Sequence, residues 1–405
     1  MTVCNKVADI EWLTGSEAGS LLAELAEDSA PLHTASARLR KRLSPAQTHL
    51  LLEQVELRRR AAAKFTHAER LFFTRLALEQ ATDEWIAHYK ASRFAPQRAG
   101  ASPPPTFADL CCGIGGDLMA LSEVATAIGI DRDPIAAHLA AVNAGVTVHC
   151  TDVAELDFDG IDAWHIDPDR RPAGHRTTSL EWCQPNLATI EHLLARVPHA
   201  AVKLAPATIV PADWAERCEL EWISRDRECK QLVAWHGNLA SAPGQRCATV
   251  IPTAASRGVP APDPERRTIV GQPNQPISIA KQLERYVFDV DPAIIAARLT
   301  GVLAAEHDLR ALGAGPTYLT GPRVIDDPAL ACFEVAEILP LQTRRLAQCL
   351  RERSIGQLEI KKRGVDIAPE KLRRDLKLCG TNAATLLIAQ IAGRPSAILA
   401  RRVSP

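Results

Sequence analysis

Apolar residues in the first stretch of the chain recur at helical spacing: Leu21, Leu22 and Leu25, then Leu39 and Leu43, then Leu50, Leu51, Leu52, Val55 and Leu57. Leu71, Phe72, Phe73, Leu76 and Leu78 carry the rhythm on to Trp85 and Tyr89. Ser44-Pro45 is a start signal, a hydroxyl cap followed by a residue suited to the first turn. The pattern predicts a helical domain over residues 1–95. Pro96, Gly100 and Pro103-Pro104-Pro105 then form a boundary, because such a run neither sustains a helix nor donates to a sheet ladder.

From Phe107 the rhythm changes to short apolar runs alternating with helical patterns, which predicts an α/β core with a parallel sheet. The expected strands are Phe107 to Cys112, Thr126 to Asp131, Val146 to Thr151, Ala163 to Asp167 and Ala200 to Leu204. Leu220 to Ile223, Gln231 to Trp235 and Ala248 to Ile251 follow with only loops between them, so strands there are expected to pair antiparallel. This core spans 106–255. A proline-rich segment from Thr253 to Pro276 follows, with a strand expected at Thr268 to Val270. The last region, 277–405, is read as helices through Ile294, Ile295, Leu299, Leu303, Leu309 and Leu312, and a helix over Leu341 to Leu350. A small α+β unit then has a strand at Leu358 and Ile360, a helix near Pro369 to Leu376, and a hairpin of Leu386 to Ile391 with Ala397 to Val403.

Composition adds two constraints. The 405 residues are 46% hydrophobic and 23% charged, as in an ordinary globular chain, and no apolar run is long enough to span a bilayer. The net charge of -1 conceals a surplus: residues 341–405 hold 14 Lys+Arg against 5 Asp+Glu. A basic end on a near-neutral chain suits a polyanion-facing module, or it is simply a solvated face. The eleven cysteines form no Cys-x-x-Cys pair, which argues against a zinc site and for a reducing, cytoplasmic compartment. No metal and no membrane are expected, and the oligomeric state is open.

The chemistry concentrates at Asp109-Leu110-Cys111-Cys112-Gly113-Ile114-Gly115-Gly116-Asp117, a buried strand entering a glycine turn and then a helix. Gly113, Gly115 and Gly116 let a nucleotide lie against main-chain amides at the helix start, although such turns are also purely structural. The next expected strand ends at Asp131, where doubly wound folds hold ribose hydroxyls. Asp133 can cap the following helix and Pro134 fits its first turn. The Gly113-x-Gly115-Gly116 spacing and the antiparallel edge fit a dehydrogenase poorly.

These features, with Thr151-Asp152 and Asp167-Pro168-Asp169-Arg170-Arg171, resemble the motif series of class I S-adenosylmethionine-dependent methyltransferases. Lys64-Phe65, Leu78-Glu79-Gln80-Ala81-Thr82, Arg93-Phe94 and Ile360-Lys361-Lys362-Arg363-Gly364-Val365 resemble the bacterial members that carry a helical amino-terminal region and a THUMP-like domain. The core is also distantly similar to trimethylguanosine synthase. The resemblance implies a Rossmann-like core, a parallel sheet with an antiparallel edge hairpin, and S-adenosylmethionine as cofactor. It places Asp109, Cys111, Gly113, Gly115, Gly116, Asp131, Asp152 and Val153 around that cofactor, with Asp152 alternatively a helix cap. It places catalysis at Asp167 and Pro168.

Amino-methylating members follow the Asp or Asn with Pro-Pro and an aromatic residue; here Asp169 and Arg170 stand instead. Asp167 can still accept a hydrogen bond from an amine, while a stacking partner must come from an arginine plane, Trp182 or the amino-terminal helices. Asp169, Arg170, Arg171 and Lys203 are the expected substrate contacts near the chemistry. Arg170 and Arg171 either grip a phosphate or pair with nearby carboxylates, and Lys203 either meets substrate or neutralises the Asp cluster. Pyrimidine methylation at carbon five is disfavoured, since no cysteine lies between Cys150 and Cys183. His165 reads as a buried core histidine. Lys361, Lys362 and Arg363 are the expected RNA contacts of the THUMP-like domain. The reading is an S-adenosylmethionine-dependent methyltransferase acting on RNA, at a base amine. The alternatives are a small-molecule methyltransferase and a catalytically silent RNA-binding protein that retains the cofactor fold.

Overall fold

The computed structural model describes residues 3–27, 32–95, 104–170, 177–252, 266–315 and 317–403. Arg171 and parts of both proline-rich segments lie outside them. The chain packs as two units: the described residues up to Leu220 with Gln231–Gly244, and Glu221–Lys230, Gln245–Pro252 and the described residues after Glu265.

The first unit begins with helices α1 (Val3–Leu13), α2 (Ser16–Glu27), α3 (Leu32–Leu39), α4 (Pro45–Ala61), α5 (Arg75–Gln80) and α6 (Glu84–Phe94). The start of α4 is the expected one: Ser44 and Gln47 form a reciprocal capping box before Pro45. Strands and helices then alternate as β1 (Thr106–Leu110), α7 (Gly116–Val124), β2 (Thr126–Asp131), α8 (Pro134–Ala144), β3 (Val148–Cys150), β4 (Ala163–Ile166), α9 (Leu187–Arg196), β5 (Ala200–Leu204) and α10 (Ala212–Arg217). Strands β6 (Glu219–Arg225) and β7 (Glu228–His236) follow, with their residues within Glu221–Lys230 counted in the second unit. The order β3-β2-β1-β4-β5 is parallel throughout, and β7 returns antiparallel against β5. The carboxyl ends of the five parallel strands therefore share one edge, where open α/β sheets bind ligands.

The amino-terminal helices pack into the same apolar cluster as Ile114, which lies in the glycine turn, and Leu139 of α8. Asn143 joins them polarly. It accepts from the Phe72 amide at 2.9 Å and donates to the carbonyls of Phe72 and Ile114, both at 3.0 Å. Arg58, in the last turn of α4, serves the fold: it lies 4.9 Å over the Phe72 ring and donates to the Leu71 carbonyl.

The second unit holds the antiparallel pair β8 (Arg246–Ile251) and β9 (Arg267–Gly271), then β10 (Tyr286–Val290), α11 (Pro292–Ala297), α12 (Thr300–Glu306), β11 (Arg310–Ala311), β12 (Leu319–Gly321), β13 (Leu330–Pro340), α13 (Thr343–Glu352), β14 (Ile355–Lys362), α14 (Pro369–Leu376), β15 (Asn382–Ile391) and β16 (Arg394–Val403). Seven of these strands form one sheet in the order β11-β12-β10-β13-β16-β15-β14. Alternation puts Leu386 and Ile388 on one face, against Leu346, Leu350, Leu372 and Leu376, and Leu387 and Ala389 on the other, with Val287 and Phe333. The helical spacing of Leu309 and Leu312 does not hold. Asp308, in the left-handed region at φ 52°, ends the helix, and a short strand follows.

Candidate functional site

At the ligand edge of the first unit, the turn after β1 takes three left-handed residues in close succession: Cys111 at φ 55°, Gly113 at 57° and Gly115 at 84°. A Cβ on Gly115 would meet Ala140 Cα at 3.3 Å, so the turn packs tightly on α8 there. A Cβ on Gly113 would meet nothing within 4 Å, so that side of the turn is open. The Gly113 amide donates to Asp131 Oδ2 at 2.9 Å, and the Asp133 amide to Asp131 Oδ1 at 2.9 Å. Burial pushes the Asp131 carboxyl upward against these two bonds. Asp133 caps α8 through Ile135 and Ala136, as expected. Asp152 accepts from the Ala154 amide at 2.9 Å, which is its helix-cap reading, and Val153 beside it is buried.

Asp109, on β1, is 1% exposed. Its Oδ1 meets His165 Nδ1 at 2.7 Å, while its Oδ2 is buried with no protein partner. Such an orphaned carboxylate oxygen is a position for a cationic ligand group. Burial raises the Asp109 carboxyl, with His165 opposing. The open face at Gly113, the orphaned oxygen of Asp109 and the carboxylate of Asp131 thus fit a cofactor carrying an ammonium and a ribose.

Asp167 follows β4, and its Oδ2 pairs with Lys203 Nζ at 2.5 Å. Lys203 also donates to Thr82 Oγ1 at 2.9 Å. Burial alone would lower the Lys203 ammonium, but Asp167 and Asp117 hold it above its ordinary value. The second oxygen of Asp167 has no partner among the described residues. Pro168 is buried, and Asp169 is pinned by paired main-chain bonds with Gln184 at 2.8 and 2.9 Å. That pairing brings the turn carrying Trp182 next to the loop, and Trp182 is 72% exposed. Arg170 follows Asp169; Arg171 lies outside the described residues.

The sequence reading gave no site role to four members of this neighbourhood, Thr82, Lys90, Asp117 and His165. Thr82 donates to Asp117 Oδ2 at 2.8 Å. Lys90, 2% exposed, pairs with Asp117 Oδ1 at 2.7 Å and meets His165 Nε2 at 2.9 Å. Burial would raise Asp117, but the ammonium groups of Lys90 and Lys203 hold it well below the usual carboxylate range. Burial lowers the Lys90 ammonium against the pull of Asp117. The available signal was Lys90 itself, a charge on the face of α6 that also carries Ile86, Ala87 and Phe94. His165 is buried, as read, but it is a member of this set.

In the second unit, Lys361 and Arg363 bond Asp289, at 3.2 and 2.8 Å, and Arg227 pairs with the same carboxylate at 3.4 Å. Lys362 is exposed, its Nζ on the Ile367 carbonyl. Among the described residues, Glu306, His307 and Asp327 bring three ligand-type atoms together, but Arg267 already pairs with both carboxylates.

Two strains of Mycobacterium tuberculosis, CDC 1551 / Oshkosh and H37Rv, carry a protein known as an uncharacterized S-adenosylmethionine-dependent methyltransferase. It is 31% identical over 360 residues, covering 84% of this chain and 92% of the relative. The chain therefore belongs to the S-adenosylmethionine-dependent methyltransferases. Residues 330–402 match the THUMP domain-like family, and residues 6–61 match a domain family of unknown function. A crystal structure of a candidate methyltransferase from Porphyromonas gingivalis W83 superposes with a TM-score of 0.69 at 23% identity, covering 90% of this chain and 92% of the other. The enzyme is a methyltransferase and its cofactor is S-adenosylmethionine. No helix among the described residues is long and apolar enough to cross a membrane.

Proposed function

We propose that this methyltransferase modifies RNA at an exocyclic base amine, with Asp167 as the acceptor-binding and proton-accepting residue. The observation that carries the reading is the carboxylate of Asp167 at the end of β4, fixed through Oδ2 by Lys203 and with its other oxygen unpartnered among the described residues. Bound S-adenosylmethionine supplies a methyl group on a positively charged sulfur. In-line displacement then requires mainly placement of the nitrogen lone pair. The free oxygen of Asp167 would accept one amine hydrogen, orient the lone pair and take the proton released when the nitrogen becomes positive. Pro168 would offer its carbonyl to the second hydrogen. Trp182 is suited to stack on the base, replacing the aromatic residue missing at Arg170. Arg170 and Arg171 would meet the flanking phosphate.

Asp109, Cys111, Gly113, Gly115, Gly116, Asp131, Asp152 and Val153 would line the cofactor. RNA as the polymer is supported by the THUMP-like match over 330–402 and the basic surplus of the last residues. Lys362, exposed, is suited to phosphate. The tie of Lys361 and Arg363 to Asp289 favours a second reading, in which these two serve the fold and the acceptor is a small molecule. The ten free cysteines among the described residues support a reducing cytoplasm as its site of action.

The test is transfer of labelled methyl from S-adenosylmethionine to total RNA of cells lacking this gene, comparing wild type with Asp167→Ala. Labelling that is present with wild type and absent with the variant is expected. Equal labelling by both proteins removes Asp167 from the chemistry, and cofactor binding without any labelling removes RNA.

A further inference from the structure

The described side chains join the cofactor end of the site to the acceptor end by an unbroken series of short polar contacts. Starting at Asp109, the series runs through His165 at 2.7 Å to Lys90 at 2.9 Å, then Asp117 at 2.7 Å, Thr82 at 2.8 Å, Lys203 at 2.9 Å and Asp167 at 2.5 Å. Six of the seven residues are less than 9% exposed, and Asp167 closes the series with a side chain 27% exposed. At one end Oδ2 of Asp109 is buried with no protein partner, and at the other Asp167 engages Lys203 through Oδ2 alone among the described residues.

Two of the seven do not come from the sheet edge. Thr82 follows α5 and Lys90 lies on α6. Thr82 is held in place by its own segment: Lys64 Nζ bonds the carbonyls of Leu78, Glu79 and Ala81 at 2.8, 3.1 and 2.8 Å, which terminates α5 just before it. Its main chain lies against the glycine turn, since a Cβ on Gly116 would meet the Thr82 carbonyl at 3.2 Å. The set contains three carboxylates, Asp109, Asp117 and Asp167, and two ammonium groups, Lys90 and Lys203. Because Lys90 Nζ, a donor, meets His165 Nε2, that nitrogen accepts and the ring donates through Nδ1 to Asp109, so three carboxylates face two ammonium groups. Lys90 sits against Asp117, Lys203 bridges toward Asp167, and Asp109 has no cation, only the imidazole. The excess charge therefore falls on Asp109, the carboxylate whose second oxygen is buried with no protein partner.

We propose that Lys90 and Thr82 are positioning residues contributed by the amino-terminal helices, which direct the uncompensated charge of this set to Asp109 and so select the ammonium of the cofactor's methionine part. Lys90 does this by engaging Asp117 and His165, so that His165 turns Nδ1 to Asp109. Thr82 does it by keeping Asp117 and Lys203 apart, so that each serves its own end. The raised Asp109 carboxyl is consistent with a site that awaits a cation.

The inference rests on Asp109 facing the cofactor, and it does not depend on the acceptor being RNA. Its test uses binding alone, by calorimetry of the full chain with two probes: S-adenosylhomocysteine, which carries the ammonium, and methylthioadenosine, which keeps the nucleoside and lacks the amino-acid part. Asp109→Asn checks the premise: unchanged S-adenosylhomocysteine affinity in that variant ends the cofactor reading of Asp109. With the premise met, Lys90→Met is expected to weaken S-adenosylhomocysteine by about tenfold or more, on the scale of a charge-assisted contact. Thr82→Val is expected to weaken it several-fold, with Thr82→Ser restoring it, while methylthioadenosine stays within about twofold in all three. Parallel weakening of both probes, or no change in either, overturns the proposal. Should Lys90→Met not fold, the Thr82→Val and Thr82→Ser pair decides alone.

Discussion

Gly113→Ala separates what the glycine turn does for the fold from what it does for the cofactor. Gly113 stands at φ 57° and an added Cβ would meet nothing within 4 Å, so the substitution brings backbone strain and no clash. A left-handed conformation costs an L-residue about 1–2 kcal/mol, and the stiffer unfolded chain returns about 0.4–1 kcal/mol. The net loss is about 1 kcal/mol, or about 2–4 °C in Tm for a unit of this size. Gly145, which ends α8, is the matched control: φ is 66° and nothing lies within 4 Å. Gly145→Ala should lose the same stability for the same reason. The two differ in position, because only Gly113 opens onto the face that the orphaned oxygen of Asp109 and the carboxylate of Asp131 frame. Gly113→Ala is therefore expected to weaken S-adenosylhomocysteine by more than about tenfold, the extra methyl displacing the ligand from the main chain, while Gly145→Ala leaves it unchanged. Differential scanning fluorimetry and calorimetry read the two quantities separately. Equal melting shifts with equal, unaltered affinity would show that the open face at Gly113 is not where the cofactor lies. A third variant calibrates the scale: Gly115→Ala adds contact with Ala140 at 3.3 Å to the strain at φ 84°, so its Tm should fall further than either.

Three other outcomes follow from the charged residues. Lys203→Met leaves the Asp167 carboxylate without its partner; removal from a fully buried pair costs about 3–5 kcal/mol, and the 27% exposure of Asp167 brings the expectation to about 2–3 kcal/mol by urea unfolding. Because Asp167 and Asp117 hold the Lys203 ammonium above its ordinary value, its contribution is complete below the unfolded lysine value, about 10.4, and is lost as pH rises through the higher folded value. The advantage of wild type over Lys203→Met should accordingly narrow as pH rises beyond the ordinary lysine value; a gap that instead closes on acidification contradicts the assignment. In the second unit, burial would raise Asp289, but Arg363, Lys361 and Arg227 hold it low, so its stabilisation is present above the unfolded carboxyl value of about 3.9 and is lost as pH falls through the lower folded one. Asp289→Asn should destabilise by about 3 kcal/mol near neutrality and show a flatter acid limb than wild type. Finally, if RNA lies on this unit, Lys362→Ala should lower the slope of log affinity against log salt by about one without moving Tm, whereas Arg363→Ala should lower Tm through its bond to Asp289.

Much of the methyltransferase core was legible because each of its parallel strands is a short apolar run and each turn carries its own chemistry. Thr126–Asp131 and Ala200–Leu204 are the strands as read, and the caps at Ser44 and Asp133 lie where hydroxyl and carboxylate precede a proline. The middle of the chain was less legible. Strands β10, β12 and β13 were not anticipated: Tyr286–Val290 carries Asp289 in a buried strand, which local pattern counts against a strand, and β13 slips register between Val335 and Glu337, breaking its alternation. Asp289 is tolerated there only because three cations reach it, two of them more than seventy residues further along the chain.

The site divides the same way. Asp109, the glycine turn, Asp131 and Asp167 were readable since each terminates or follows a strand at one sheet edge, and strand order alone brings them together. The contacts that organise them were not readable, because Lys90 meets a histidine 75 residues away and Thr82 meets a lysine 121 residues away. Nothing local distinguishes Lys90 from a lysine that buries its stem and keeps its head in water. Burial of the ammonium itself is sustained only by the carboxylate and imidazole it meets. Removing the charge at Asp117 would leave that ammonium buried with only the imidazole, a loss of about 3–5 kcal/mol. The acidic residue at position 117 is thus needed to keep an amino-terminal helix seated on the core, and one substitution there should perturb helix packing and cofactor binding together.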